Sequence, residues 1–174
     1  MALGYSPKEI VESGEFPLLA KHPSWERVDL QEIAIVQNGY AFPSTNFTKG
    51  IGLPLIRIRD IDKRDTEDYF QGDYPSDYVV NNGDILIGMD GDFNIARWKG
   101  KQALLNQRVC RIIPTTNLYD EKFLVFVLPS FLKAINEKTS SVTVKHLSSR
   151  TICDIPLPLP PLPEQHRIVA KIEE

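Results

Sequence analysis

The chain has 174 residues, of which 42% are hydrophobic and 25% charged, and its formal net charge at pH 7 is −3. These values are typical of one soluble globular domain with a short appendage, and the negative charge argues against a generic nucleic-acid coat protein. No apolar run is long enough to span a bilayer, and the N-terminus lacks the pattern of a signal peptide.

The two cysteines, Cys110 and Cys153, lie far apart in apolar segments and are expected to be buried free thiols. This favours a cytoplasmic location. Together with His22, His146 and His166 they show no metal-ligand spacing, so the sequence predicts no metal and no cofactor.

The charge is distributed unevenly along the chain. Residues 60–92 carry ten acidic and two basic side chains, whereas residues 93–150 carry three acidic and ten basic ones. A polyanion responds to the local field and not to the total charge, so a basic face in the second segment could bind DNA. Ordinary charge scatter is the alternative explanation.

The first elements in chain order are two short helices. Ser6 to Glu9 forms a capping box with proline at the first helical position, and Gly14 ends that helix. Asp29 to Glu32 forms a second capping box, and the helix that it starts carries Leu30, Ile33 and Ala34 on its inner face. A turn is predicted at Asn38–Gly39.

Strands and turns follow. The pattern from Leu53 to Arg59 predicts a half-exposed strand, with Pro54 at an edge or a strand start. Asn81 to Asp84 predicts a turn. Further strands are predicted at residues 85–89, 93–98 and 107–113, with a turn at Lys99–Gly100.

The C-terminal third is predicted to be helical and then extended. Residues 120–138 form one or two helices interrupted at Pro129, and Leu147 to Asp154 forms a short helix. Five of the thirteen prolines then lie between Pro156 and Pro163. Because proline fixes φ and lacks an N–H, this strap must be polyproline II or an edge strand. A helix begins after Pro163.

The predicted class is α+β, a mostly antiparallel and strongly twisted sheet bracketed by short helices, followed by the strap and an extended helix. The strap, Glu164–Gln165 and the isoleucine-rich helix resemble the boundary, in specificity subunits of type I restriction-modification systems, between a target recognition domain and the helix that follows it. The segments 25–34, 38–42, 55–61, 82–87 and 145–148 resemble other recurring elements of that family in their usual order. Family members usually carry two such domains, so this chain resembles a half-subunit or a fragment.

The resemblance implies a DNA target recognition domain over residues 1–155 and, over residues 156–174, the strap and the first turns of the spacer helix. It implies a non-catalytic specificity subunit that reads one half of a bipartite site in double-stranded DNA and directs adenine methylation and restriction by partner methyltransferase and restriction subunits. A second recognition domain or a second copy of the chain is a further candidate partner through the C-terminal helix.

Residues able to bond base edges or phosphates are the DNA-binding candidates. They are Tyr40, Phe42, Ser44, Thr45, Arg57, Arg59, Asn94, Arg97, Lys99, Lys101, Asn106, Gln107, Thr143, Lys145, His146 and Ser148. The assembly candidates lie in the strap and helix. They are Pro161, Glu164, Gln165, Ile168, Val169 and Ile172.

Two alternatives come from other functional classes. The strap contains a PxxP pattern, Pro158 to Pro161, which a protein-interaction adaptor would display. Asp84, Asp90 and Asp92 could instead hold Mg²⁺ in a nuclease, although no Glu-x-Lys follows them, and a role in turns is the preferred interpretation.

Overall fold

A computed structural model describes residues 4–140 and 143–174 of the chain. It has two compact units. Among the described residues, unit 1 consists of residues 4–35, 114–140 and 143–174, and unit 2 consists of residues 36–113. Unit 2 is therefore inserted into the sequence of unit 1.

The helices are α1 (Pro7–Glu12), α2 (Leu30–Ile33), α3 (Glu121–Lys138), α4 (Ser149–Cys153) and α5 (Leu162–Glu173). The strands are β1 (Glu26–Asp29), β2 (Ala34–Asn38), β3 (Phe47–Thr48), β4 (Leu53–Ile56), β5 (Tyr69–Phe70), β6 (Val79–Val80), β7 (Ile85–Gly88), β8 (Ile95–Arg97), β9 (Ala103–Leu105), β10 (Val109–Pro114) and β11 (Pro156–Leu159). Short 3₁₀ turns occupy Pro17–Leu19, Ser44–Asn46, Ile58–Asp60 and Ser76–Tyr78. No helix in the described part of the chain is both long and apolar enough to cross a membrane.

The strands of the described residues form sheets of two, four and five strands, in the orders β1-β11, β2-β10-β7-β8 and β3-β5-β4-β9-β6. Pairing is antiparallel in β1-β11, β10-β7, β7-β8, β3-β5, β4-β5 and β6-β9, and it is parallel in β4-β9. The predicted α+β class with mostly antiparallel strands is confirmed. The strands are divided among several sheets, however, instead of forming the single sheet that was predicted.

Local capping signals are confirmed. The Glu9 backbone N–H donates to Ser6 Oγ at 3.2 Å, and the Ser6 N–H donates back to the Glu9 carboxylate at 2.7 Å. The Asp29 N–H donates to the Glu32 carboxylate at 2.9 Å. These bonds satisfy N–H groups that a helix start leaves unpaired, which is why so short a pattern is a reliable signal.

The predicted strand from Leu53 to Arg59 is wrong after Ile56. The carboxylate of Asp60 accepts a hydrogen bond from the Arg57 N–H at 3.1 Å and turns the chain into a 3₁₀ turn. For Pro54 the sequence predicted either a strand start or an edge strand. Pro54 lies near the start of β4, and β4 is an inner strand with β5 and β9 on either side. Strand β9, a run of three buried residues without alternation, was not predicted.

The predicted interruption at Pro129 is also wrong, because α3 continues through it. A proline inside a helix removes one hydrogen bond and costs about 3 kcal/mol. Pro129 is exposed, whereas seven other α3 side chains are buried. The apolar burial of this long helix offsets the local cost.

The proline strap is an edge strand, which is one of the two extended forms predicted. It forms β11, which pairs with β1 in register Glu26↔Leu159 to Asp29↔Pro156. Its carbonyl groups are used inside unit 1: the Tyr119 hydroxyl donates to the Pro158 oxygen at 2.9 Å, and the Arg27 guanidinium donates to the Pro156 oxygen at 2.9 Å. The strap is therefore held at its backbone, although the division into functional domains at residue 155 stays a prediction.

Gln165 fixes the start of α5. Its side chain is fully buried. The amide nitrogen donates to the Leu118 and Pro160 carbonyl oxygens, each at 2.9 Å, and the amide oxygen accepts from the Asp120 N–H at 2.7 Å. One side chain thus joins the end of the strap, the start of α5 and the N-terminus of α3.

In unit 2, Gly39 allows residues 39–40 to approach residues 105–109 closely. Its N–H donates to the Val109 oxygen, the Tyr40 N–H donates to the Leu105 oxygen, and the Gln107 N–H donates to the Tyr40 oxygen, all at 2.9 Å. A Cβ added to Gly39 would lie 1.9 Å from the Asn106 carbonyl oxygen. Only glycine fits this approach.

We expect Gln165→Glu to lower the free energy of unfolding by about 2–4 kcal/mol at pH 7, because a carboxylate cannot donate to two buried carbonyl groups. Thermal unfolding followed by circular dichroism measures this loss. Gln71→Glu, the same change at an exposed glutamine, should leave the melting temperature almost unchanged. Equal melting temperatures for the two variants would contradict the role assigned to Gln165.

We expect Gly39→Ala to destabilise the chain by at least about 2 kcal/mol. The added methyl group would overlap the Asn106 backbone carbonyl, which cannot move aside as a flexible side chain could. Urea unfolding gives the value. Gly4→Ala is the control, because nothing lies within 4 Å of a Cβ at Gly4. A Gly39→Ala midpoint equal to that of the control would show that the two segments are not tightly joined.

Candidate nucleic-acid interface

The parallel pairing of β4 and β9 creates a polar edge in unit 2. Leu55 pairs with Leu104 and Ile56 with Leu105, so both strands end at the same place. The residues that follow them, Arg57 to Arg59 and Asn106 to Arg108, therefore leave the sheet at one edge. The apolar strand residues are fully buried and hold that edge in position.

A cleft of about 640 Å³ lies at this edge, entirely within unit 2. Three of the side chains lining it are arginines, three are amides, and no lining side chain among the described residues is acidic. The lining residues are Phe42, Ser44, Phe47, Arg57, Ile58, Arg59, Asn94, Asn106, Gln107 and Arg108. The cleft thus presents cationic and amide groups on an apolar base.

The cleft arginines are held by carboxylates outside the lining. Arg59 Nη2 lies 3.2 Å from Asp68 Oδ2 and 3.1 Å from Glu67 Oε2. Arg57 Nε lies 3.1 Å from Asp68 Oδ2, but its N–H does not point at the oxygen, so this contact is an ion pair without a hydrogen bond. Arg108 Nε lies 3.7 Å from Asp90 Oδ2.

Asn106 carries an unsatisfied acceptor. The residue is only 7% exposed, and its Oδ1 accepts no hydrogen bond within the described part of the chain. A buried acceptor without a partner costs about 1–3 kcal/mol, so its presence in a fold needs a reason. Asn106 is one of the residues that line the cleft.

Aromatic rings support the rim of the cleft. Tyr40 contacts the rings of Phe42 and Tyr78 at centroid distances of 4.9 and 5.1 Å, and Phe42 contacts Phe70 at 4.9 Å. The Arg57 guanidinium lies 5.2 Å from the Phe47 ring centroid. Phe42 is buried, whereas Tyr40 is 40% exposed, so Tyr40 is the ring of this cluster best able to meet a ligand.

Seven of the predicted DNA-binding residues line the cleft, namely Phe42, Ser44, Arg57, Arg59, Asn94, Asn106 and Gln107. Tyr40, Thr45, Arg97, Lys99 and Lys101 belong to the same unit but do not line it. Arg97 donates to the Gly83 oxygen at 2.8 Å, and the Lys101 ammonium lies 5.4 Å from the Tyr69 ring centroid. Thr45 bonds the neighbouring Asn46, and Lys99 is exposed.

Thr143, Lys145, His146 and Ser148 belong to unit 1 and are not part of this cleft. Lys145 donates to the Asn136 carbonyl oxygen at 2.6 Å, near the end of α3. Ser148 caps α4 by accepting from the Thr151 N–H at 3.1 Å. These two residues have local structural roles, and DNA contact by the four stays a prediction.

Phe47 and Ile58 line the cleft but were not among the predicted residues. Arg108, whose guanidinium the sequence offers for base contacts beside Asn106 and Gln107, lines the cleft as well. Arg108 adopts φ +70°, a conformation that side chains other than glycine rarely take. No sequence pattern around Phe47 or Ile58 predicts a position in the cleft, because that position depends on tertiary packing.

The acidic residues considered for a metal site form turn hydrogen bonds and ion pairs instead. Asp84 accepts from the Asn81 N–H at 2.9 Å and from Arg111 Nη1 at 3.0 Å. Asp90 pairs with Arg108. Among the residues that the structure describes, no group of three or more His, Cys, Asp and Glu side chains is arranged to hold a metal ion.

Two curated relatives are similar in sequence over most of the chain. The type I restriction enzyme EcoBI specificity subunit of Escherichia coli is 47% identical over 174 residues, which is 99% of this chain and 37% of that protein. The EcoAI specificity subunit of Escherichia coli is 31% identical over 166 residues, 86% of this chain and 28% of that protein. The chain thus spans well under half the length of these relatives.

Solved structures show the same fold. The HsdS subunit from Thermoanaerobacter tengcongensis matches with a TM-score of 0.67 and 19% identity, over 96% of this chain and 44% of that one. The type I restriction-modification S subunit from M. genitalium matches with a TM-score of 0.66 and 14% identity, over 90% of this chain and 40% of that one. The model of the type I restriction modification DNA specificity domain matches residues 23–174. Since this match takes in most of the sequence, the chain belongs to the family of type I restriction modification DNA specificity domains.

Proposed function

We propose that the chain reads one half of a split site in double-stranded DNA, as part of the specificity subunit of a type I restriction-modification complex. The observation that carries this proposal is the cleft of unit 2, where three arginines and three amides converge without a lining carboxylate among the described residues. Family membership and the names of the relatives support the same function.

The chemistry of the cleft suits base edges in the major groove. Arginine binds the O6 and N7 atoms of guanine with two hydrogen bonds, and asparagine or glutamine binds N6 and N7 of adenine in the same way. Arg108, Asn106 and Gln107 are consecutive and lie at one edge, so adjacent bases could be read by neighbouring residues. Lys99 and Lys101, outside the cleft, are better suited to phosphate contacts.

In this proposal the chain does no chemistry itself. It selects the site, and partner methyltransferase and restriction subunits methylate adenine and cut the DNA. Neither Cys110 nor Cys153 forms a disulfide, and Cys110 is buried as predicted whereas Cys153 is only half-buried. The absence of a disulfide between them agrees with work in the reducing cytoplasm.

The adaptor alternative is disfavoured by the strap itself. Pro156, Leu157, Pro158 and Pro160 are buried. A polyproline ligand has to offer its proline faces to an aromatic groove, and this strap turns most of them into unit 1. No observation in the described residues favours the adaptor over DNA recognition.

DNA reading is tested by selecting duplexes from a randomised pool with the purified chain and measuring affinities by fluorescence anisotropy. We expect a short enriched sequence. Gln107→Ala should relax the preference at one position by about 1–3 kcal/mol, roughly 5- to 150-fold, because a base-edge contact is lost.

Gln102→Ala is the matched control, since Gln102 is exposed and outside the cleft. It should leave the enriched sequence unchanged. Failure of the wild-type chain to enrich any sequence would overturn the proposal. Unchanged preferences for Gln107→Ala, Asn106→Ala and Arg108→Ala together would show that another surface reads the bases.

We further propose that α5 is an assembly element that contacts a partner subunit or a second α5. Ile172 is 48% exposed, whereas Ile168 and Val169 are half-buried and Gln165 is fully buried. Helix α5 packs on α3, and Lys122 pairs with Glu173 at 2.8 Å, so part of the helix is already covered within unit 1. Of the predicted assembly residues, Pro161 and Ile172 are exposed and Glu164 is half-buried.

We expect Ile172→Glu to weaken co-purification with the methyltransferase subunit, or the self-association of the chain, at least tenfold without lowering the melting temperature. The reason is that it places a charge in an apolar contact. Light scattering coupled to gel filtration measures both associations. Ala170→Glu, an exposed position two residues away, should leave association unchanged. Identical behaviour of the two variants would exclude Ile172 from assembly.

A further inference from the structure

Asp68 is a buried carboxylate behind the arginines of the cleft. It lies directly before β5, and its backbone oxygen accepts from the Leu55 N–H at 2.9 Å, which ties it to β4. Only 7% of the residue is exposed. It was not among the predicted site residues, and it does not line the cleft itself.

Three cations surround this carboxylate. Lys49 Nζ lies 2.6 Å from Oδ1, whereas Arg57 Nε and Arg59 Nη2 lie 3.1 and 3.2 Å from Oδ2. The hydrogen bond from Lys49 holds the pKa of Asp68 below its usual value, so the carboxylate is ionised at neutral pH. Both of the arginines that it contacts line the cleft.

The contacts restrain these arginines without exhausting their donors. A guanidinium has five N–H donors, and Asp68 contacts one nitrogen of each. Arg57 is restrained further by the Phe47 ring, and Arg59 by Glu67. An arginine fixed in this way loses less side-chain entropy when it meets a planar acceptor pair.

The same carboxylate reduces the positive charge that the cleft offers to phosphate. Non-specific affinity for DNA depends on the number of phosphates that cations neutralise. A cation that already has a buried partner gains less from any phosphate that approaches it. A base edge with the matching geometry still gains its hydrogen bonds, so the restraint penalises non-specific contacts more than specific ones.

We propose that Asp68 is a positioning residue that sets the specificity of DNA reading by holding Arg57 and Arg59 in the cleft and withholding them from non-specific phosphate contacts. This inference rests on the proposed function of the cleft. In this proposal an acidic residue outside the cleft determines the ratio of specific to non-specific DNA affinity.

The test is Asp68→Asn in the full chain, measured on the selected half-site and on a scrambled duplex over a series of salt concentrations. On the scrambled duplex we expect tighter binding and a salt slope steeper by about one, because one freed arginine gains a phosphate. The ratio of specific to non-specific affinity should fall roughly tenfold, the loss of about one well-placed base contact. Asp73→Asn removes the same charge from an exposed position of the same segment and should leave the ratio unchanged.

A purely structural role for Asp68 would lower the melting temperature and leave both the ratio and the slope as in the wild type, and that result overturns the inference. If Asp68→Asn does not fold, Arg59→Lys serves instead, since it keeps the charge and removes the planar fork. It should retain non-specific binding and lose specificity, and an unchanged ratio again overturns the inference. A wild-type chain that selects no sequence would remove the proposed function itself, which is a separate outcome.

Discussion

The candidate site depends on one pair of parallel strands in a structure whose other described pairings are mostly antiparallel. Because β4 and β9 run in the same direction and in register, the polar residues that follow them leave the sheet side by side. Antiparallel pairing would have sent one of these segments to the opposite edge. The cleft, the arginine restraint and the position of Asn106 all follow from this arrangement, and Gly39 secures it by allowing the third segment to approach.

The parts of the fold that could be predicted from sequence are those decided by neighbouring residues. The capping boxes at Ser6 and Asp29, the turn ending at Asp84 and the extended strap each depend on groups within a few positions of one another. The errors arose where distant contacts overrode such signals. Pro129 is an ordinary helix breaker, but the buried face of α3 carries the helix through it.

The sequence predicted which types of side chain the candidate site contains, but not which of them the fold brings together. Asn106 and Gln107 were identified because their side chains can bond bases, and Arg57 and Arg59 because they are cationic beside an apolar strand. That these two pairs meet depends on the β4–β9 register, for which the sequence has no local signal. Arg57 and Arg59 lie before the basic segment of residues 93–150 and next to acidic partners, whereas Asn106, Gln107 and Arg108 lie within that segment. A role of the basic segment in DNA binding stays a prediction.

The pairing of β1 with β11 has a consequence for the order of folding. Arg27 and Pro156, which bond across this sheet, are separated by 129 positions in the chain. Unit 2 is contiguous and lies wholly between them, so it can collapse without waiting for the strap to be synthesised. Once it has done so, its ends are brought together and the loop that unit 1 must close becomes effectively much shorter. Unit 1 is therefore expected to form its two-stranded sheet last, at a rate set by how quickly unit 2 folds.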